Sequence, residues 1–239
     1  MDPEKTNEYI DANFEEVFIK NLSKFIEIPN LSPAFDQEFY TNGLIDQAIE
    51  YVIEFSKSLN IEGLEHRFYK EEGKCPMLIF TYPGNGKKNV MFYGHLDKQP
   101  HMTEGWKEGF GPTKPVIHED RLYGRGGADD GYVPFGVLLA LKCAIEQGAD
   151  IPRIVCVHEC EEESGSNDLE YLLQANADLI QTPDVCICMD SGALDYNNVW
   201  LTTTLRGVCN FDMKVSIADQ GCHSGLGGGI VPDTWRIIN

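Results

Sequence analysis

Four short stretches of this 239-residue chain carry side chains of types that can ligate metal ions. They are Gly94-His95-Leu96-Asp97, Gly126-Gly127-Ala128-Asp129-Asp130, Glu159-Cys160-Glu161-Glu162-Glu163-Ser164-Gly165 and Asp190-Ser191-Gly192. One imidazole with several carboxylates describes a nitrogen–oxygen site for zinc, manganese or cobalt, not a thiolate site. A carboxylate that bridges two cations holds them roughly 3.5–4 Å apart and lets them share a water of lowered pKa. A free carboxylate beside them can take that water's proton and pass it to a leaving nitrogen. The adjacent Glu162 and Glu163 can divide the work, one as base and one as ligand. Asp97, two residues beyond His95, is placed to orient the imidazole. Taken singly, each stretch has a plainer explanation. His95 alone reads as a satisfied structural histidine, the Glu run as a solvated loop, and Asp129-Asp130 as a helix N-cap. Asp190 is harder to dismiss, because a carboxylate beside a buried apolar strand needs a partner.

The elements around these stretches put them on one edge. Ile10, Phe14, Val17, Phe18, Leu22 and Phe25 recur at helical spacing and predict a helix over 9–25. Pro29 and Pro33 end it, and a second helix is predicted over 43–59. Short apolar runs at 77–82 and 89–93 read as strands, the first stopped by Pro83-Gly84-Asn85-Gly86. Residues 101–120 are rich in Gly, Pro and charge and read as a long surface loop. A strong helix is predicted over 132–147, capped by Gly148. A strand over 153–158, a short helix over 168–176 and an apolar strand over 185–189 follow. Alternating helices and short strands indicate an α/β fold, a mostly parallel twisted sheet flanked by helices. In such sheets reactive groups gather beyond the carboxyl ends of the strands, where all four stretches fall. Near Arg206-Gly207 the pattern changes. Residues 210–217 alternate as a half-buried strand, and a Gly-rich stretch follows at 221–229. The expected division is 1–205 for the larger domain and 206–239 for the opening of a second one.

Composition narrows the function. The 38 acidic against 19 basic residues give a formal charge of −19, which repels nucleic acid and anionic membrane. No run approaches the roughly 18 apolar residues of a membrane span. Met1-Asp2-Pro3-Glu4-Lys5 lacks the apolar core of a secretory signal. The eight cysteines include several inside apolar runs, such as Val155-Cys156-Val157 and Val185-Cys186-Ile187-Cys188, and read as buried thiols in a reducing compartment. A cytoplasmic location is expected.

In order, these residues resemble the zinc metallopeptidase family of carnosinase-type dipeptidases, glutamate carboxypeptidase, aminoacylase and succinyl-diaminopimelate desuccinylase. The resemblance rests on Gly94-His95-Leu96-Asp97, Tyr123 to Asp130, Glu162-Glu163-Ser164-Gly165-Ser166, Asp190, and His223-Ser224-Gly225 with Gly227-Gly228. It implies that His95 and Asp190 bind one zinc, that Asp129 bridges two, that Glu163 binds the second, and that Glu162 is the general base. Asp97 would support His95. His223 would lie in an inserted α+β lid or dimerisation domain, reach a neighbouring subunit's site and polarise the scissile carbonyl. The implied cofactors are two Zn2+ per complete subunit, with Mn2+ or Co2+ as substitutes. The implied substrate is a small peptide or N-acyl amino acid, and the implied assembly is a homodimer.

Three departures stand out. Relatives supply a late His to the second zinc, and none of His66, His95, His101, His118, His158 and His223 holds a matching position. The expectation is therefore a chain that stops inside the lid domain. Asp130-Gly131-Tyr132 replaces the usual Asp-x-Lys-Gly, and Cys160 precedes the glutamate run. Two competing readings follow: an inactive truncated fragment or non-catalytic relative, and a nucleotide-binding α/β protein. The second is disfavoured because the Gly124-Arg125-Gly126-Gly127 turn lacks the spacing of a phosphate-binding loop.

Overall fold

The apolar run Met77-Leu78-Ile79-Phe80 has its side chains buried on both faces of a sheet, which needs helices on each side to cover it. The computed structural model describes residues 1–239, in two units, Met1–Gly192 and Ala193–Asn239. The first unit opens with α1 (Pro3–Asn13), whose N-cap Asp2 accepts the N–H of Glu4 at 2.9 Å. A wider π-helical turn, Phe14–Ile19, leads into α2 (Lys20–Glu27). The helix expected over 9–25 is thus one run in three pieces. Then come α3 (Leu44–Ser58), β1 (Glu65–Tyr69), β2 (Met77–Tyr82) and β3 (Asn89–His95). A small hairpin of β4 (Val116–His118) and β5 (Arg121–Tyr123) follows, then α4 (Tyr132–Glu146), β6 (Arg153–Glu159), α5 (Leu169–Ala175), α6 (Ala177–Ile180) and β7 (Val185–Cys188).

The sheet order is β1-β2-β6-β3-β7. β6, β3 and β7 run parallel, whereas β2 is antiparallel to both β1 and β6. All strands but β2 therefore point the same way, and the expected mostly parallel sheet is what forms. Leu78, Phe80, Ile154 and Cys156 pack on one face with Phe25 and Ile26 of α2, Ile49 and Val52 of α3, and Phe135 and Leu138 of α4. Met77, Ile79, Val155 and Val157 pack on the other with Leu172 and Ile180. The result is a helix–sheet–helix sandwich.

Four expectations need correction. The strand β1 was not foreseen, because Glu65-His66-Arg67-Phe68-Tyr69 has the polar character of a sheet edge and no apolar alternation. The loop expected over 101–120 contains β4. The strand β7 is an edge strand, paired only with β3, so Cys186 and Cys188 are exposed rather than buried. Cys75, Cys143, Cys156 and Cys160 are buried, and all eight cysteines are free. In the second unit, residues 210–217 form no strand. A strand needs a partner to take its backbone hydrogen bonds, and this short unit forms only α7 (Ser224–Gly227) and α8 (Thr234–Ile238). No helix is long and apolar enough to cross a membrane.

Candidate metal centre

Parallel pairing brings the chemistry together. His95 ends β3 and lies in register with Glu159 at the end of β6, while Tyr93 of β3 pairs with Cys188 of β7. The connections leaving β3, β6 and β7 therefore emerge on one edge. The first supplies His95, the second Glu162 and Glu163, and the third Asp190. Asp129 enters from the Gly-rich turn that precedes α4. Gly126 opens that turn at φ 78°, in the left-handed region where a side chain is strained. Its Cα also sits so close to Lys98 that a Cβ there would lie 2.4 Å from Lys98 Cε.

The imidazole of His95 is fully buried, and its Nε2 faces the carboxylates. Asp129 Oδ1 lies 3.0 Å from it, Asp190 Oδ2 3.8 Å and Glu162 Oε2 4.0 Å. Two overlapping groups have donor atoms all within 4.8 Å of one another: His95 with Asp129 and Asp190, and His95 with Glu162 and Glu163. The Asp129 charge also acts on Glu163, so this carboxylate influences both groups. The structure thus brings together His95, Asp129, Glu162, Glu163 and Asp190. His223 belongs to the second unit, where it is exposed and caps α7, its Nδ1 accepting the N–H of Gly225 at 3.1 Å.

Asp97 is completely buried beneath this group. Its backbone carbonyl lies 3.0 Å from His95 Nδ1, and its carboxylate Oδ1 3.5 Å away. A proton on Nδ1 pointed at that carbonyl leaves the Nε2 lone pair for a metal. The carboxylate has a second task that sequence reasoning missed. It accepts the backbone N–H groups of Glu162 at 3.2 Å and Glu163 at 3.0 Å, fixing the tight turn Glu162–Ser164. Asp130 was also missed as a functional side chain. It is buried, and its Oδ2 accepts the N–H of His95 at 3.3 Å. The glycine before His95 is the available signal, since a Cβ on Gly94 would meet Asp130 Oδ2 at 2.5 Å. Nothing in the sequence marks Lys98, whose buried Nζ caps the end of α2 by donating to Phe25 O at 2.8 Å and Ile28 O at 2.7 Å.

The protons of the site show how much positive charge it demands. Burial pushes the His95 imidazole down, but hydrogen bonds to Asp129 and Asp97 outweigh burial and raise it to about 11. The His95 hydrogen bond holds Asp129 below the ordinary carboxylate range. Burial pushes Glu163 up to about 7, reinforced by the charges of Asp129 and Glu162. Burial likewise raises Asp130 to about 8, with Asp190 and Asp129 adding to it. Glu162 is raised by burial, then by Asp190 and Asp97. Carboxylates crowded at this range repel one another strongly in a medium less polar than water.

A divalent cation fits this set. Ligands about 2.0–2.1 Å from a tetrahedral ion lie roughly 3.3 Å apart, and the 3.0 and 3.8 Å separations around His95 Nε2 bracket that value. Glu163 Oε1 is buried with no hydrogen-bond partner, as expected of an oxygen kept for an ion. Imidazole and carboxylates suit zinc, manganese or cobalt.

Comparison with known proteins agrees with this chemistry. The model of peptidase family M20/M25/M40 matches residues 91–219. The Cys-Gly metallodipeptidase dug1 of Schizosaccharomyces pombe is 32% identical over 241 residues, spanning 97% of this chain and 49% of that protein. The Beta-Ala-His dipeptidase of Mus musculus is 34% identical over 238 residues, spanning 95% of this chain and 48% of that protein. The crystal structure of human carnosine dipeptidase 1 superposes with a TM-score of 0.65 at 22% identity, covering 98% of this chain and 50% of that one, a likeness of fold. The chain spans about half the length of the curated relatives it matches.

Proposed function

The chain belongs to peptidase family M20/M25/M40, and on that premise we propose that it is a metal-dependent hydrolase of the dipeptidase type, cleaving the amide bond of a dipeptide or small peptide. The observation that carries this reading is the convergence of His95, Asp129, Asp190, Glu162 and Glu163 on one sheet edge. His95, Asp129 and Asp190 would hold one ion, with Asp129 bridging to a second ion that Glu163 binds. Two Zn2+ fit the donor set, and Mn2+ or Co2+ would serve. When bound, such ions polarise a carbonyl and lower the pKa of water.

Glu162 is the general base. It lies 4.0 Å from His95 Nε2 and is half-buried, and burial raises its carboxyl above its ordinary value, which makes it a stronger base. It accepts the proton of the attacking water and delivers it to the leaving amine nitrogen. Asp97 holds both partners of this chemistry, His95 through its backbone carbonyl and the glutamate turn through its carboxylate. His223 supports the oxyanion. Because its Nδ1 accepts a backbone N–H, its neutral ring carries the proton on Nε2, the form that donates to a developing negative oxygen. As the family resemblance implies, it would act at a neighbouring subunit's site in a homodimer. A cytoplasmic location accords with the free cysteines.

The names of the relatives suggest the first substrates, Cys-Gly and β-Ala-His. The test is hydrolysis of these dipeptides, and of an N-acyl amino acid, with zinc or manganese supplied. Glu162→Gln should cut turnover by about 10²–10⁴-fold with metal content unchanged. Turnover retained in that variant would refute the base assignment. Metal taken up with no hydrolysis of any of the three would decide against the dipeptidase reading for this chain and in favour of the inactive-fragment alternative.

A further inference from the structure

Beyond β3 the chain continues from His95 to Gln99, anchored at Lys98 by an isolated bridge. Leu96 is fully buried. The backbone of Lys98 pairs in parallel with Leu31, and its side chain reaches the end of α2. His95, Asp97 and Gln99 each meet the metal centre. His95 offers its ring. Asp97 holds the backbone of Glu162 and Glu163. Gln99 Nε2 donates to Glu163 Oε2, while Glu163 Oε1 is buried with no partner.

We infer that Gln99 is a positioning residue of the metal centre: by occupying one carboxylate oxygen of Glu163, it presents the other as a single-oxygen ligand beside Asp129. This rests on the metal-binding half of the function proposed above, not on its hydrolytic half. Three physical points favour it. Asp97 fixes only the backbone of the glutamate turn, so the rotatable side chain of Glu163 needs its own restraint. An amide restrains without adding charge, so it does not compete with a cation as a lysine would. Partners that hold a ligating carboxylate commonly set a site's affinity, typically by 10–100-fold. One short stretch, at positions i, i+2 and i+4, thus supplies a ligand, a backbone clamp and a side-chain clamp.

The test uses the 239-residue chain with Zn2+ and Co2+ as probes. Zinc affinity is read by competition with a chromogenic chelator, and ligand geometry by the visible absorption of the cobalt form. Gln99→Leu removes the donor at similar volume. Gln99→Asn keeps the amide but draws it back by one methylene, out of reach. Both should weaken zinc binding by about 10–100-fold and alter the cobalt spectrum, with the metal-free melting temperature unchanged. Wild-type affinity and spectrum in both variants would overturn the inference. So would a loss of affinity matched by an equal fall in metal-free melting temperature, since Gln99 would then be general structural support. A wild-type chain that takes up neither metal would overturn the metal-centre reading itself, an outcome distinct from either.

Discussion

Asp97→Asn isolates the part of the site that is independent of any ligand atom. The substitution keeps volume and shape but turns one acceptor oxygen into a donor amide. Asp97 now accepts two backbone N–H groups, from Glu162 at 3.2 Å and Glu163 at 3.0 Å, from a fully buried position. Asparagine can keep one of these bonds, and its NH2 must face the other N–H. Losing one charge-assisted hydrogen bond costs about 1.5–3 kcal/mol. Expressed at the metal centre, at about 1.4 kcal/mol per factor of ten, that is a roughly 10–100-fold loss of zinc affinity. His95 should stay in place, because the nearer contact to its Nδ1 is the backbone carbonyl, which the substitution leaves untouched. The assay is zinc competition against a chelator, paired with a thermal melt in the absence of metal. The metal-free melt should change little, because without a bound ion the glutamate turn is free to shift and relieve the donor–donor clash. Wild-type zinc affinity in this variant would refute the reasoning, and the carboxylate would have no part in presenting Glu162 and Glu163.

Two further outcomes are expected. Asp129→Ala should remove metal from both groups, because Asp129 contacts His95 and its charge acts on Glu163; unchanged zinc stoichiometry by elemental analysis would contradict its bridging place. His158→Leu should make the fold more resistant to acid. Both ring nitrogens of His158 are buried without partners, and burial pushes its pKa down to about 3, so the folded chain keeps it neutral while the unfolded chain protonates it below about 6.5. Between those values the unfolded state binds the extra proton, so wild-type stability falls as pH falls, by about 5 kcal/mol in all from this group. Melting curves between pH 3 and 7 should be less steep in pH for the variant, and parallel curves would contradict the neutral buried state.

Much of the site was legible because its residue types announce it. His95, Asp129, Glu162, Glu163 and Asp190 each follow a strand or open a helix, and the rule that reactive groups gather at strand ends placed them on one edge. What was hidden is the support around them. Gln99 and Lys98 sit in a loop with no periodic pattern, and their roles depend on partners at the glutamate turn and at the end of α2. The second task of Asp97 was equally invisible, because backbone N–H groups leave no mark in a sequence. The polar edge strand β1 escaped notice for a related reason, since its ladder is made of main-chain bonds to β2.

The sequence by itself determined the α/β class, the buried strands β2 and β6, the amphipathic helices and the metal-suited donor set, because periodicity and residue chemistry are local properties. Only the tertiary structure decided the strand order β1-β2-β6-β3-β7, and with it which connections share an edge. It also decided that β7 lies at the rim, which exposes Cys186 and Cys188 despite their apolar run. At residues 210–217 an alternating pattern meets no partner strand and forms none. Strand pairing and ligand convergence are contacts between residues far apart in the chain. Their free energy depends on which surfaces meet, and local pattern alone does not carry that information.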